Sequence, residues 1–356
     1  MTPDDLRAGV AAGIVTEAQA ASLSALAHSR AGARENLAAG DEPFELFKGF
    51  NEIFIVVGLC ILALGYAGVA GIFVALNFSD VSTRTFAAAV LGAGVLWLLA
   101  EYFVRRRRMI APAIALSIMF AACAAAGLTA QFAEPFMVAQ NEFSSLPLAI
   151  ALTTLAIFLF WLRFKVPFAM AMIALGLFAT ALVLAAEQAG SPASFEDLFL
   201  LSAGGPFAWI TLALGVAVFC VAMWFDMSDP HRVTRRSANG FWLHVVAAPA
   251  LVNTVALSLL AEGQSGLLLA FLALIAVVAV VIDRRSFLIA GVGYSVTLSA
   301  TVFDAEGSVY TVLLLGVLLV LMGAFWERIR AVLLRMMPFL PLKRLPPSTV
   351  GPIGGM

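Results

Sequence analysis

The chain has 356 residues, 62% of them hydrophobic and 12% charged, with a formal net charge of −1. Soluble domains carry about 45–50% apolar and about 25% charged residues, so most of this chain needs lipid as its solvent. That excludes a secreted disulfide scaffold, a soluble nucleotide-binding enzyme and a nucleic-acid-binding module, and predicts an all-α, polytopic transmembrane helix bundle.

In chain order, residues 1–42 read as a cytoplasmic helical hairpin and linker. Thr2 with Pro3 and Asp5, and Thr16 with Glu17 and Gln19, are two N-cap signatures around a break at Gly13. Leu6, Val10, Ile14, Leu23 and Leu26 are expected to pack between the two short helices. A module of this size buries too little surface to stand alone. Either it rests on the membrane domain, pairs with a second copy as a homo-oligomer contact or docks a protein partner, or it is a loosely ordered cytoplasmic tail. Residues 43–327 form the bundle, entered by an interfacial helix that carries Phe44, Phe47, Phe50 and Phe54 on one side.

Ten stretches are long and apolar enough to span. They are Ile53 to Leu76, Thr85 to Val104, Met109 to Ala130, Leu146 to Leu162, Val166 to Ala186, Pro206 to Phe225, Gly240 to Ala261, Gly266 to Ile282, Ser286 to Phe303 and Val309 to Phe325. Residues 328–356 follow as a cationic interfacial helix, with Ile329, Val332, Leu333 and Met336 as its stripe, and a Pro/Gly-rich cytoplasmic tail. The third span is rich in small residues, Ala121 to Gly127, and is expected inside the bundle. Ser194 caps an expected interfacial helix on the outer side, with Phe195, Leu198 and Phe199 on one face.

Hydropathy defines those spans, so the side on which each cation falls is an independent test. With the N-terminus inside, 20 of the 21 Lys and Arg residues are cytoplasmic, and only Arg84 is outside. Nine acidic residues, among them Asp80, Glu134, Glu187 and Glu262, fall outside. One helix more or fewer would scramble this division. The expectation is a bacterial inner-membrane protein with both termini cytoplasmic.

The spans hold few chemical groups. Glu101 sits at i,i+4 from Arg105 and reads as an interfacial ion pair. His244, one turn inside the seventh span, reads as a satisfied interfacial histidine or a proton carrier. Pro249 frees a carbonyl one turn before Asn253. Asn253 is either interhelical glue or, with Tyr294, Thr297 and Thr301 of the ninth span and Gln131 at the end of the third, the lining of a polar cavity. Cys60, Cys123 and Cys220 fall within apolar runs and read as inert small hydrophobes. The arginines at 105–108 occupy a short inner loop and read as topology determinants that touch lipid headgroups. No metal, nucleotide or hydrolase motif is present in a suitable setting, so no catalytic residue, metal or cofactor is expected.

The segment Gly13-Ile14-Val15-Thr16-Glu17-Ala18-Gln19, followed by a polar linker and a first span containing Gly58, Gly65 and Gly68, resembles the bacterial predicted membrane proteins filed as domain of unknown function 2157. The resemblance covers about the first 140 residues and implies a cytoplasmic hairpin before many spans, with Gln131 as the glutamine near the outer end of an early helix. The aromatic-histidine pair expected after that glutamine is replaced here by Phe132 to Pro135. The resemblance implies no reaction.

Three functional readings follow. The first is a non-enzymatic inner-membrane protein whose cytoplasmic face engages anionic lipid or a partner. The second is a transporter or facilitator of a small neutral or lipophilic solute with drug/metabolite-type topology, although the loops of the two halves do not correspond and the spans hold no carboxylate for ion coupling. The third is a lipid-linked transferase, for which Asp226, Asp229 and His231 of the longest inner loop are the candidates.

Overall fold

The computed structural model describes residues 9–16, 19, 23, 50–76, 80–134, 137, 143–192, 194–229, 232, 235–287, 313, 316, 317, 320–337, 339 and 344–346. These form helices α1 (Phe50–Ala75), α2 (Val81–Ala100), α3 (Ala111–Phe132), α4 (Leu146–Phe164), α5 (Phe168–Ala189), α6 (Phe207–Met227), α7 (Arg235–Ala261), α8 (Ser265–Ile282) and α9 (Trp326–Met336). Among the described residues the architecture is all-helical, and α1 to α8 are long and apolar enough to cross a membrane. They correspond to the first eight expected spans. The ninth and tenth fall mostly outside the described residues, as do most of the N-terminal hairpin and the tail.

Local sequence explains where the helices start and stop. Pro112 and Pro147 occupy the first turns of α3 and α4, and Pro167 and Pro206 are the N-caps of α5 and α6. A first-turn proline gives up an N–H that has no intrahelical acceptor there. The outer segment expected as a helix forms two 3₁₀ turns, Phe195–Leu198 and Leu201–Ala203, and Asp197 Oδ2 accepts from the Ser194 amide at 2.9 Å. In the hairpin, Gly13 has φ +68°. The Thr16 capping box is present, with Gln19 N donating to Thr16 Oγ1 at 3.2 Å and Thr16 N to Gln19 Oε1 at 3.0 Å. Ile14, expected in the hairpin's apolar contact, is exposed.

Among the described residues two of the packed groups are the largest. Trp97 of α2 meets Phe120 of α3 and Phe160 and Phe164 of α4 at centroid distances of 5.0–5.9 Å. Ala174 and Phe178 of α5 pack with Val218 and Ala222 of α6 and Leu243, Ala247 and Ala250 of α7. Gly127 lets α3 lie against α2, since a Cβ there would stand 2.6 Å from the Ala89 methyl. The small-residue third helix is thus closely packed, but α7 is the central one. More than half of its apolar window is buried, against 6% for α1.

Cross-links tie the helix ends in two layers. At one end Ser82 Oγ donates to Ala130 O, Glu134 N to Ser145 Oγ, and Leu201 N to Ser258 Oγ. At the other end the buried Glu52 of α1 accepts from the amides of Ile110 and Ala111 at 3.3 and 3.0 Å, capping α3 from another helix. A carboxylate there satisfies two orphan donors and complements the helix dipole. Glu52→Ala is expected to cost about 1–2 kcal/mol, read as a lower unfolding midpoint in detergent, with Glu52→Gln retaining part of the effect.

Candidate functional site

The end of the bundle where α6 finishes and α7 begins holds the described buried charges. Asp226 lies in the last turn of α6 and faces the first turns of α7. Ser237, Gly240 and His244 recur at spacings of three and four, so they share one face of α7. Gly240 makes room for the carboxylate, because a Cβ there would collide with Asp226 Oδ1. One turn further on, His244 Nε2 donates to Asp226 Oδ2 at 2.9 Å, which places the ring proton on Nε2.

Arg284, just beyond α8, completes the arrangement. Its Nε and Nη2 donate to Asp226 Oδ2 and Oδ1 at 2.9 and 2.5 Å, and Nη2 also reaches the Ser237 carbonyl at 3.0 Å. His244 and Arg284 are 0% and 1% exposed, so this bidentate pair is sealed from water. Phe219 and Phe287 stand edge-on to the imidazole at 5.5 and 5.7 Å.

A second acid centre adjoins the first. Asp283, at φ +57°, caps α8 and accepts from Arg232 Nη1 at 2.9 Å and Trp326 Nε1 at 2.6 Å. Arg232 Nη2 donates to the Asp283 and Ile282 carbonyls at the helix C-terminus. Arg330 of α9 is fully buried and donates to Pro346 O at 2.6 Å, bringing residues 344–346 against the bundle. Burial pushes its guanidinium down from the ordinary arginine value, while Asp283 and Glu327 oppose that shift. The expected apolar stripe of α9 is the more exposed side, with Val332 and Met336 outward, while Trp326 and Arg330 turn to the bundle.

Chemically this network is a lock. Asp226 has its oxygens occupied by a guanidinium and an imidazole, and it is shut off from any approach by a lipid-linked substrate. Asp229 is buried and has an interaction of its own, and His231 lies outside the described residues. Among the described residues no three His, Cys, Asp or Glu side chains come together as a set able to hold a metal ion.

The sequence-derived candidates are dispersed. Glu101 bridges Arg105 at 3.1 Å and Arg163 of α4 at 2.7 Å, so its ion pair extends to a second helix. His244 is bonded through Nε2 to a buried aspartate. Asn253 is half-buried on α7, and Gln131 is exposed at the outer end of α3. Tyr294, Thr297 and Thr301 lie outside the described residues. What the sequence reading missed is the partnership of Asp226, His244 and Arg284. The small-small-His spacing at 237, 240 and 244 was its one local sign.

Around the lock the same end presents exposed cations. Arg105 to Arg108, Arg163, Lys165, Arg235, Arg236, Arg285, Arg328 and Arg335 are exposed there, whereas Asp80, Glu134, Glu187, Glu196 and Glu262 are exposed at the opposite end. Arg108, Lys165 and Arg232 even adopt positive φ at 52–53°, where glycine is the usual residue. A cation at these positions complements the helix C-terminal dipole at the expense of backbone strain.

Comparison with protein-family models, with curated proteins and with solved structures finds no match to this chain. Its eight apolar helices are those of a multi-pass membrane protein.

Proposed function

We propose that the chain is a non-enzymatic, ten-span protein of a bacterial inner membrane, with both termini in the cytoplasm, whose cationic face engages anionic lipid. The observation that carries this reading is the sorting of charge at that end. Asp226 and Asp283 are neutralised internally by Arg284, His244 and Arg232, and among the described residues at that end the exposed side chains carry arginine and lysine, while Glu101 and Glu327 are only half-exposed. Each basic residue near an anionic leaflet contributes about 1 kcal/mol of attraction. Residues 1–42 remain the proposed contact for a protein partner or a second copy, in keeping with the resemblance to the domain of unknown function 2157 proteins.

Purified protein in bilayer discs of phosphatidylcholine alone, or with one third phosphatidylglycerol, tests the reading. The unfolding midpoint is expected to be several degrees higher with the anionic lipid, and the difference to shrink in high salt, which screens exposed charge. Equal midpoints in the two lipids would remove the support for it.

A further inference from the structure

At the inner end of α2 the backbone changes from α to π geometry over Glu101–Arg106. A single π turn inside a transmembrane helix is an uncommon feature that often accompanies a functional site. Here it borders a groove of about 490 Å³ lined by Leu98, Glu101, Tyr102, Arg105 and Arg106. The exposed face of α2 that leads into it is apolar. Leu91, Val95, Leu98 and Tyr102 recur at helical spacing on the exposed side of α2, and the stripe they form runs directly into Arg105 and Arg106.

The charge balance favours an anion. Glu101 is the one acid among the lining residues, and it is bridged by Arg105 and Arg163 at 3.1 and 2.7 Å. With Arg106, three guanidinium groups surround one carboxylate, leaving two net positive charges at the level where the helix leaves the apolar layer. Arg107 is drawn aside, stacked on Tyr102 at 5.6 Å and bonded to its hydroxyl at 3.1–3.2 Å. That holds the phenol ring as a fixed wall. Arg106 is exposed, and its side chain makes no hydrogen bond or ion pair with another described residue.

We propose that this groove is a binding site for one anionic phospholipid, its phosphate held by Arg105 and Arg106 and an acyl chain lying along Leu98, Val95 and Leu91. The proposal rests on the anionic-lipid reading above and assigns it a place. A planar guanidinium pair suits phosphate oxygens, and the stripe supplies the apolar contact that a free phosphate could not use.

The test is native mass spectrometry of the full-length protein in detergent, titrated with phosphatidylglycerol and, separately, phosphatidylcholine. Wild type is expected to retain phosphatidylglycerol preferentially. Arg106→Gln is expected to weaken that binding about fivefold, and Arg105→Gln with Arg106→Gln about thirtyfold. Arg328→Gln with Arg335→Gln on α9 is expected to leave the tightest site unchanged. Full-strength phosphatidylglycerol retention by the Arg105/Arg106 double variant would overturn the site while leaving the broader reading standing. No preference in wild type would sink both. Displacement of the lipid by millimolar inorganic phosphate would overturn the lipid assignment in favour of free phosphate.

Discussion

Asp226→Ala is expected to lower stability by about 3–5 kcal/mol, because it strands a buried guanidinium. In the variant Arg284 loses both of its bonds to the Asp226 carboxylate, and the Nε2–H of His244 loses that acceptor as well. The double substitution Asp226→Leu with Arg284→Met removes both charges at similar volume. It is expected to recover most of the loss, since a buried ion pair and a well-packed apolar pair are often close in energy. The measurement is the unfolding midpoint of a fluorescent fusion followed by size-exclusion chromatography. A single variant that melts with wild type would show that the buried pair does not hold α6, α7 and the end of α8 together.

Asp283→Ala is expected to cost a similar amount, for two separable reasons. It removes the acceptor of Arg232 and Trp326, and it forces a Cβ-bearing residue without a local polar contact to keep φ near +57°. Asp283→Gly relieves the backbone but still lacks the carboxylate, whereas Asp283→Asn tolerates the left-handed conformation and keeps acceptor capacity. The expected order of destabilisation is Ala, then Gly, then Asn, each read as an unfolding midpoint. An asparagine variant as unstable as alanine would place the whole effect on the charge. A glycine variant equal to wild type would place it on the backbone.

The eight described spanning helices were legible because each is a long apolar run closed by proline, glycine or arginine, and such runs need only length and composition. Glu101 with Arg105 was legible for the same reason, being a local i,i+4 pair. Its extension to Arg163 was not, since that depends on α4 standing beside α2. Likewise the capping of α3 by Glu52, 58 residues away, has no local sign in the sequence. The small residues of the third span correctly indicated close packing, but burial of α7 came from neighbours on several sides, including α5, α6 and α8, and α7's own mixed polarity concealed it.

Composition and charge were enough to decide that this chain lives in lipid, how its eight described helices are bounded, and that its cations fall at alternate helix junctions. Those properties follow from transfer of single residues between water and hydrocarbon, which each segment satisfies alone. Only the tertiary structure decided which cations are spent. Arg232, Arg284 and Arg330 are buried in a network drawn from α6, α7, the end of α8 and α9, while Arg105 and Arg106 remain at an open groove. In sequence these arginines are alike. Arg232 and Arg284 are set apart by carboxylates within about 3 Å, Asp283 and Asp226, which lie 51 and 58 residues away along the chain.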